Sequence, residues 1–354
     1  MNRYHGLAIF FLAASGAAPA HDGSAWRGEH TMVVTASNTA ANQLLVYSPA
    51  GKLLRTIATE GQGGVAGNAG GIAQSHRRLA VVNFGSGTVS IFVTDQEHAN
   101  LRLESVIPAV ASPVSVAFGS DHLYILSTTH VESHAIERIG TKGVDTSPDG
   151  VSALLHADGS AAQVGKLPGQ LIITEKSNVI ESVNLDDSGA VSGAATAVAN
   201  IPANVNAPFG LATRGNDAYV TIAHANEVSL VRRDEVVTVT GSGTQSAPCW
   251  LALDGPFLFS ANSPSSSVSR YLVYGDVITQ QVAVAARFNG NPTDITYRSG
   301  LAAVVDGNST EGVSHLSTFH VDERGNLAPY GVATINGVAT NGVAIVTPDE
   351  DFPY

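Results

Sequence analysis

Short apolar runs recur along the chain, each set off by glycine, proline or a polar turn. The first run of each unit is centred on Ile72, Val116, Val164, Leu211, Leu251, Ile295 or Val343, at intervals of 44, 48, 47, 40, 44 and 48 residues. A second run follows each time, at 79–83, 123–127, 171–175, 218–222, 258–262 and 301–305, and 32–36 supplies a seventh. Runs of this length, rich in β-branched residues and bounded by turn formers, predict β-strands. Third runs at 89–92, 228–231 and 268–271 alternate apolar and polar residues. That alternation predicts strands with one exposed face. Helical periodicity is almost absent.

Seven units of this length, each with about four short strands, predict an all-β, seven-bladed β-propeller. A β-helix is the other all-β repeat to weigh, but its repeats are much shorter. The unit around Val343 has a first strand and no successor, whereas the run at 32–36 has a successor and no first strand. Residues 338–346 and 31–57 are therefore expected to build blade one together. Such closure replaces two open sheet edges with paired strands. No linker interrupts the repeat, so residues 21–354 read as one domain, with 349–354 as a polar tail.

Residues 1–20 read as a signal peptide: Arg3, a short apolar run over 7–14, and Ala18-Pro-Ala20 as a small-residue cleavage site. The run is too short to span a bilayer comfortably as an anchor. Export to the periplasm or medium is expected, with the mature chain starting near His21. Losing Arg3 takes the net charge from −12 to −13. An acidic chain argues against nucleic-acid and anionic-membrane partners, both of which need a basic face. Charged residues are 14% of the chain and glycines number 36, a composition for strands and tight turns. The one cysteine, Cys249, leaves no internal disulfide. Asn308-Ser309-Thr310 is a glycosylation sequon.

Loops leading into the first strands and leaving the second strands crowd one mouth of a propeller's axis, where ligand sites are commonly built. On the second-strand side stand Asn38, Asn83, Ser127, Thr128, Glu175, Lys176, His224, Asn262 and Asp306; on the first-strand side stand Gln163, Phe209, Cys249, Trp250 and Asp294. Many are also ordinary turn residues. Glu175 beside Lys176 is a candidate base and clamp, although neighbours on a strand point to opposite faces. His130, Glu132 and His134 have a metal-like spacing on an extended strand, but off the axis, where a solvated strand face is expected. No phosphate-binding glycine loop and no G-x-S-x-G elbow occurs, so no cofactor is expected. Cys249 lacks an identifiable base and reads as a small buried residue.

Several stretches resemble the lactonase-like propellers, the superfamily of 6-phosphogluconolactonases and 3-carboxymuconate cyclases. They are Ala161–Gly165 with Leu171–Ile180, Ala207–Ala212 (A-P-F-G-L-A) and Ala247–Leu253 (A-P-C-W-L-A-L), and the likeness runs from about Met32 to Val346. The resemblance implies a histidine in blade four's first strand, an arginine–histidine pair in blade five's, and a glutamate after blade five's second. This chain has Ala162, Phe209, Gly210 and Ala223 there, with His224 next in line.

Two functions stay open. The first is an enzyme that opens or forms a lactone of a small carboxylate, with Glu175 and His224 as acid and base. Lys176, Asn83, Asn262, Asp294, Asp306, Trp250 and Gln163 would then bind the ligand. The second is a non-catalytic ligand-binding or interaction propeller. A monomer is expected in both.

Overall fold

The computed structural model describes residues 31–75, 77–95, 100–136, 143–198 and 207–347. The expected signal peptide, the tail at 349–354 and the mature start near His21 lie outside them. Among the described residues, twenty-eight strands, β1 to β28 in chain order, form seven antiparallel sheets of four. The first strands of consecutive sheets pack side by side around a circle, the last against the first. This is a seven-bladed propeller. Blades two to seven run over 72–108, 113–153, 161–197, 208–241, 248–287 and 291–336.

Blade one is assembled from both ends. Its order is β28 (Asn341–Val346), β1 (Met32–Ala36), β2 (Gln43–Tyr47) and β3 (Leu53–Ala58). The register sets Met32 against Val346, Val34 against Ala344 and Thr35 against Val343. Thr35 Oγ1 adds a 2.7 Å bond to Gly342 O. The closure read from the repeat is therefore observed, strand for strand.

The core lies between blades. Second strands are the most buried, because each is covered on both faces. Their Val, Ile, Leu and Ala side chains interdigitate with those of the next sheet. The third strands differ from expectation. Val228–Val231 and Val268–Tyr271 are buried throughout, so their serines do not face water. Ser90, Glu132, Glu181, Ser229 and Ser269 occupy one repeat position, each paired with the central residue of its blade's second strand. Several bond main chain across a seam: Ser90 Oγ to Thr59 O, Val110 N to Glu132 and Leu155 N to Glu181. The alternation thus records hydrogen bonding between sheets, since a buried polar group needs a partner.

The His130/Glu132/His134 run is likewise not a solvated face. Glu132 and His134 are enclosed and 3.4 Å apart, and His134 Nδ1 meets Asp145 O at 2.8 Å. Among the described residues no group of three or more His, Cys, Asp or Glu side chains is arranged to hold a metal ion. No described helix is long and apolar enough to cross a membrane. Asn308 of the sequon is buried, and its Oδ1 accepts the N–H groups of Thr310 and Glu311 in a turn.

Candidate functional site

A segment of the chain itself crosses the mouth of the axis. Residues 65–71, in the connection from blade one to blade two, are held from four directions. Lys176 Nζ of blade four donates to Gly67 O at 2.6 Å. Trp250 Nε1 of blade six donates to Asn68 O at 3.1 Å. The Asn68 amide donates to Val114 O of blade three at 2.5 Å and exchanges two hydrogen bonds with Asn341 of blade one. Ala69 N donates to Ala162 O of blade four at 3.0 Å, and Gly70 O accepts from Val116 N and Ser115 Oγ of blade three. A segment bonded to blades one, three, four and six must sit on the axis, so we call it the plug. Asn68 and Ala69 are almost wholly buried.

Glycine makes the close approach feasible. A Cβ on Gly71 would lie 2.5 Å from Asn341 Oδ1, and Gly70 adopts φ +63° while pressed against Ser115 and Gln163.

Under the plug lies an apolar floor. Ala69 clusters with Ala162, Ala207, Phe209, Ala223, Cys249 and Trp250, and Phe209 meets Trp250 edge-on at 5.3 Å. Ala162, Phe209 and Ala223 are three of the positions at which the lactonase resemblance implies histidine, arginine and glutamate. At the fourth, Gly210, a Cβ would fall 2.1 Å from Cys249 O, so no side chain fits. This floor has no proton donor or anion binder at those positions. Burial pushes the Cys249 thiol up to about 12, which leaves it un-ionised and poorly nucleophilic.

The sequence-derived candidates fall into distinct places. Asn83, Glu175, Asn262 and Asp306 occupy one repeat position, two residues beyond the central residue of the second strand. Asn83 is wholly buried; it accepts from Asn42 and Thr59 and donates to Ser90 at 2.7 Å. Asn262 repeats this role in blade six, donating to Ser269 at 2.9 Å. Asp306 meets His315 Nδ1 at 3.0 Å, and burial raises its pKa against the opposing pull of that histidine. Asn262 and Asp306 brace their own blades, and Asn83 also ties blade two to blade one.

Lys176, Gln163 and Trp250 do face the mouth, and all are engaged there. Lys176 and Trp250 hold the plug; burial lowers the lysine's pKa. Gln163 packs on Gly70, and its Oε1 accepts from Leu211 N at 2.6 Å. Glu175 is enclosed, facing His156 and Ser177 of the blade three–four seam. His224 stands exposed on a one-turn 3-10 helix in blade five. Of the expected acid/base pair, Glu175 is thus enclosed at the end of a blade-four strand and His224 is exposed in blade five. Near blades one and two an open depression of about 400 Å³ is lined by Asn42, Glu60, Gln62 and Ser86.

Asp294 is a closure residue. Its Oδ1 accepts Ile295 N at 2.8 Å and its Oδ2 accepts Val343 N of β28 at 3.2 Å. Burial raises its pKa from 3.8 to about 7, with both hydrogen bonds opposing. A raised carboxyl pKa means that the folded state holds the proton more tightly than the unfolded chain. Stability is then full below the ordinary value and declines as pH rises from about 4 to 7, by roughly 4 kcal/mol. We expect the melting temperature to fall between about pH 4 and 7, and Asp294→Asn to be less stable but to flatten that slope. A melting temperature that climbs over this range would contradict it.

Sequence reasoning missed Asn68, Asn341, His156 and Glu181. The stretch 63–71 reads G-G-V-A-G-N-A-G-G, and its density of glycine was the available signal for a close backbone approach.

With this geometry in hand, solved structures place the chain among known folds. Neither a known family's profile nor a curated protein matches it. A proposed 6-phosphogluconolactonase from Bacteroides uniformis superposes with a TM-score of 0.63 at 14% identity, covering 89% of this chain and 99% of that one. A virginiamycin B lyase from Staphylococcus aureus superposes with a TM-score of 0.53 at 14% identity, covering 78% and 92%. A chain of the mitotic checkpoint complex reaches 0.54 at 12% identity, covering 98% and 90%. The class is thus a seven-bladed β-propeller with lactonase-like fold neighbours. At these identities the likeness is one of fold, and the fold hosts enzymes and assembly proteins alike.

Proposed function

We propose that this chain is an exported, non-catalytic propeller that serves as a binding or interaction module. One observation carries the reading: the axial mouth, where a lactonase-like site would stand, holds the chain's own Asn68–Ala69 over Ala162, Phe209, Gly210 and Ala223. A lactone needs a general acid or base and a group to bear the developing negative charge. The floor supplies neither, and the plug takes the room. Export rests on the features of residues 1–20. The catalytic alternative needs Glu175 and His224 to act together, and they lie in different surroundings.

The test is hydrolysis of a lactone panel, including 6-phosphogluconolactone, by mature protein whose N-terminus begins near His21. The expected result is no turnover above the uncatalysed rate. Turnover that disappears in Glu175→Gln or His224→Ala would overturn the proposal.

A further inference from the structure

We propose that Glu175 and Glu181 share one proton that latches the 154–160 loop onto blade four, and that losing this proton releases the axial plug. In blades two and six the equivalent positions hold an amide bonded directly to a serine, Asn83 to Ser90 and Asn262 to Ser269. Blade four alone among these three has a carboxyl at both. Glu175 pairs across the ladder with Val179 and Glu181 with Ile173, which puts the two side chains diagonally on one face. Both are wholly buried.

Their outer oxygens are accounted for. Glu181 Oε1 accepts Leu155 N at 2.9 Å, and Glu175 Oε2 faces Ser177 Oγ at 3.3 Å and His156 Nδ1 at 3.6 Å. Glu175 Oε1 and Glu181 Oε2 meet no N–H or O–H donor. Two buried acceptors side by side are satisfied by one proton between them, and two bare carboxylates there would repel. Burial raises both groups, and Glu181, further raised by the neighbouring Glu175, reaches about 8. The other charged groups facing the pair belong to the 154–160 loop: His156 favours ionisation of Glu181, and Asp158 disfavours ionisation of Glu175. Lys176 is turned instead to Gly67.

The latch connects to the plug at two points. Ser160 O accepts Lys176 N at 2.8 Å, and Lys176 Nζ clasps Gly67 O. The same loop runs directly into Ala162, whose carbonyl accepts Ala69 N. Deprotonation sends the proton to solvent and leaves two facing charges under both clasps. This concerns the seating of the plug and goes beyond the question of catalysis.

Trp250 reports on the plug through its bond to Asn68 O, so acrylamide quenching of its fluorescence measures opening. The full mature chain with Trp26→Phe gives a single tryptophan. Quenching should stay low to neutral pH and then rise, the opening equilibrium growing about tenfold per pH unit for one proton released. Glu181→Gln, which keeps a permanent N–H donor, should flatten the rise. If that variant fails to fold, Glu175→Gln makes the same comparison. A flat wild-type profile, or an unchanged rise in the folded variant, would overturn the proposal.

Discussion

Removal of residues 338–354 is expected to abolish the folded state. The deletion strips β1 of one of its two partners, and with it the five register pairs from Met32–Val346 to Ala36–Asn341. Each backbone hydrogen bond contributes about 1 kcal/mol net. Val343, Ala344, Ile345 and Val346 are all buried, in two different inter-blade clusters. Burying a valine or isoleucine is worth about 1.5–3 kcal/mol. Asp294 would also lose Val343 N, and Asn68 would lose Asn341. Together these losses are comparable to a typical whole-protein margin of about 5–15 kcal/mol. The truncated chain should aggregate or show no cooperative melt by circular dichroism, whereas a chain lacking only 349–354 should melt like the full one. An unchanged melt after removal of 338–354 would refute ring closure by β28.

The second large effect is expected at Asn68. Asn68→Ala removes the donor to Val114 O and both bonds to Asn341, leaving a buried carbonyl and a half-buried amide unpaired. Unpaired buried polar groups cost about 1–3 kcal/mol each, so the loss should reach roughly 2–5 kcal/mol. The blades themselves keep their pairings. The variant should therefore stay folded, with a lower denaturation midpoint and a solvent-exposed Trp250. A variant as stable as the parent, with Trp250 still shielded, would mean that Asn68 does not anchor the plug.

The blade count, the second strands and the split blade could be read from the chain because they rest on local patterning. Apolar runs, turn residues and a constant period recur seven times, and a missing strand at one end matches an orphan at the other. What escaped was set by contacts distant in sequence. Asn68 lies 273 residues from Asn341 and 182 from Trp250. Nothing in the spacing of either residue announces the meeting. Asn83, Glu175, Asn262 and Asp306 read as loop residues leaving the second strands, whereas the first three end those strands and Asp306 lies within its own, and polarity alone cannot distinguish a brace from a ligand group. Register can: each has a third-strand side chain of its own sheet beside it, Ser90, Glu181, Ser269 and His315 in turn. The serines of the third strands misled for a related reason, since alternation looks the same whether the polar face meets water or another blade.

The claim that the chain closes its own axis is tested most directly at the amide of Ala69, which donates to Ala162 O inside the mouth. Residue-resolved hydrogen exchange on the native protein should find it slowed by at least about a thousandfold relative to an open chain, an opening cost near 4 kcal/mol. In Asn68→Ala the same amide should exchange much faster while the amides of the second strands stay protected. If Ala69 in the native protein exchanges at the rate of a surface loop, the mouth is open, and the case against a ligand there falls with it.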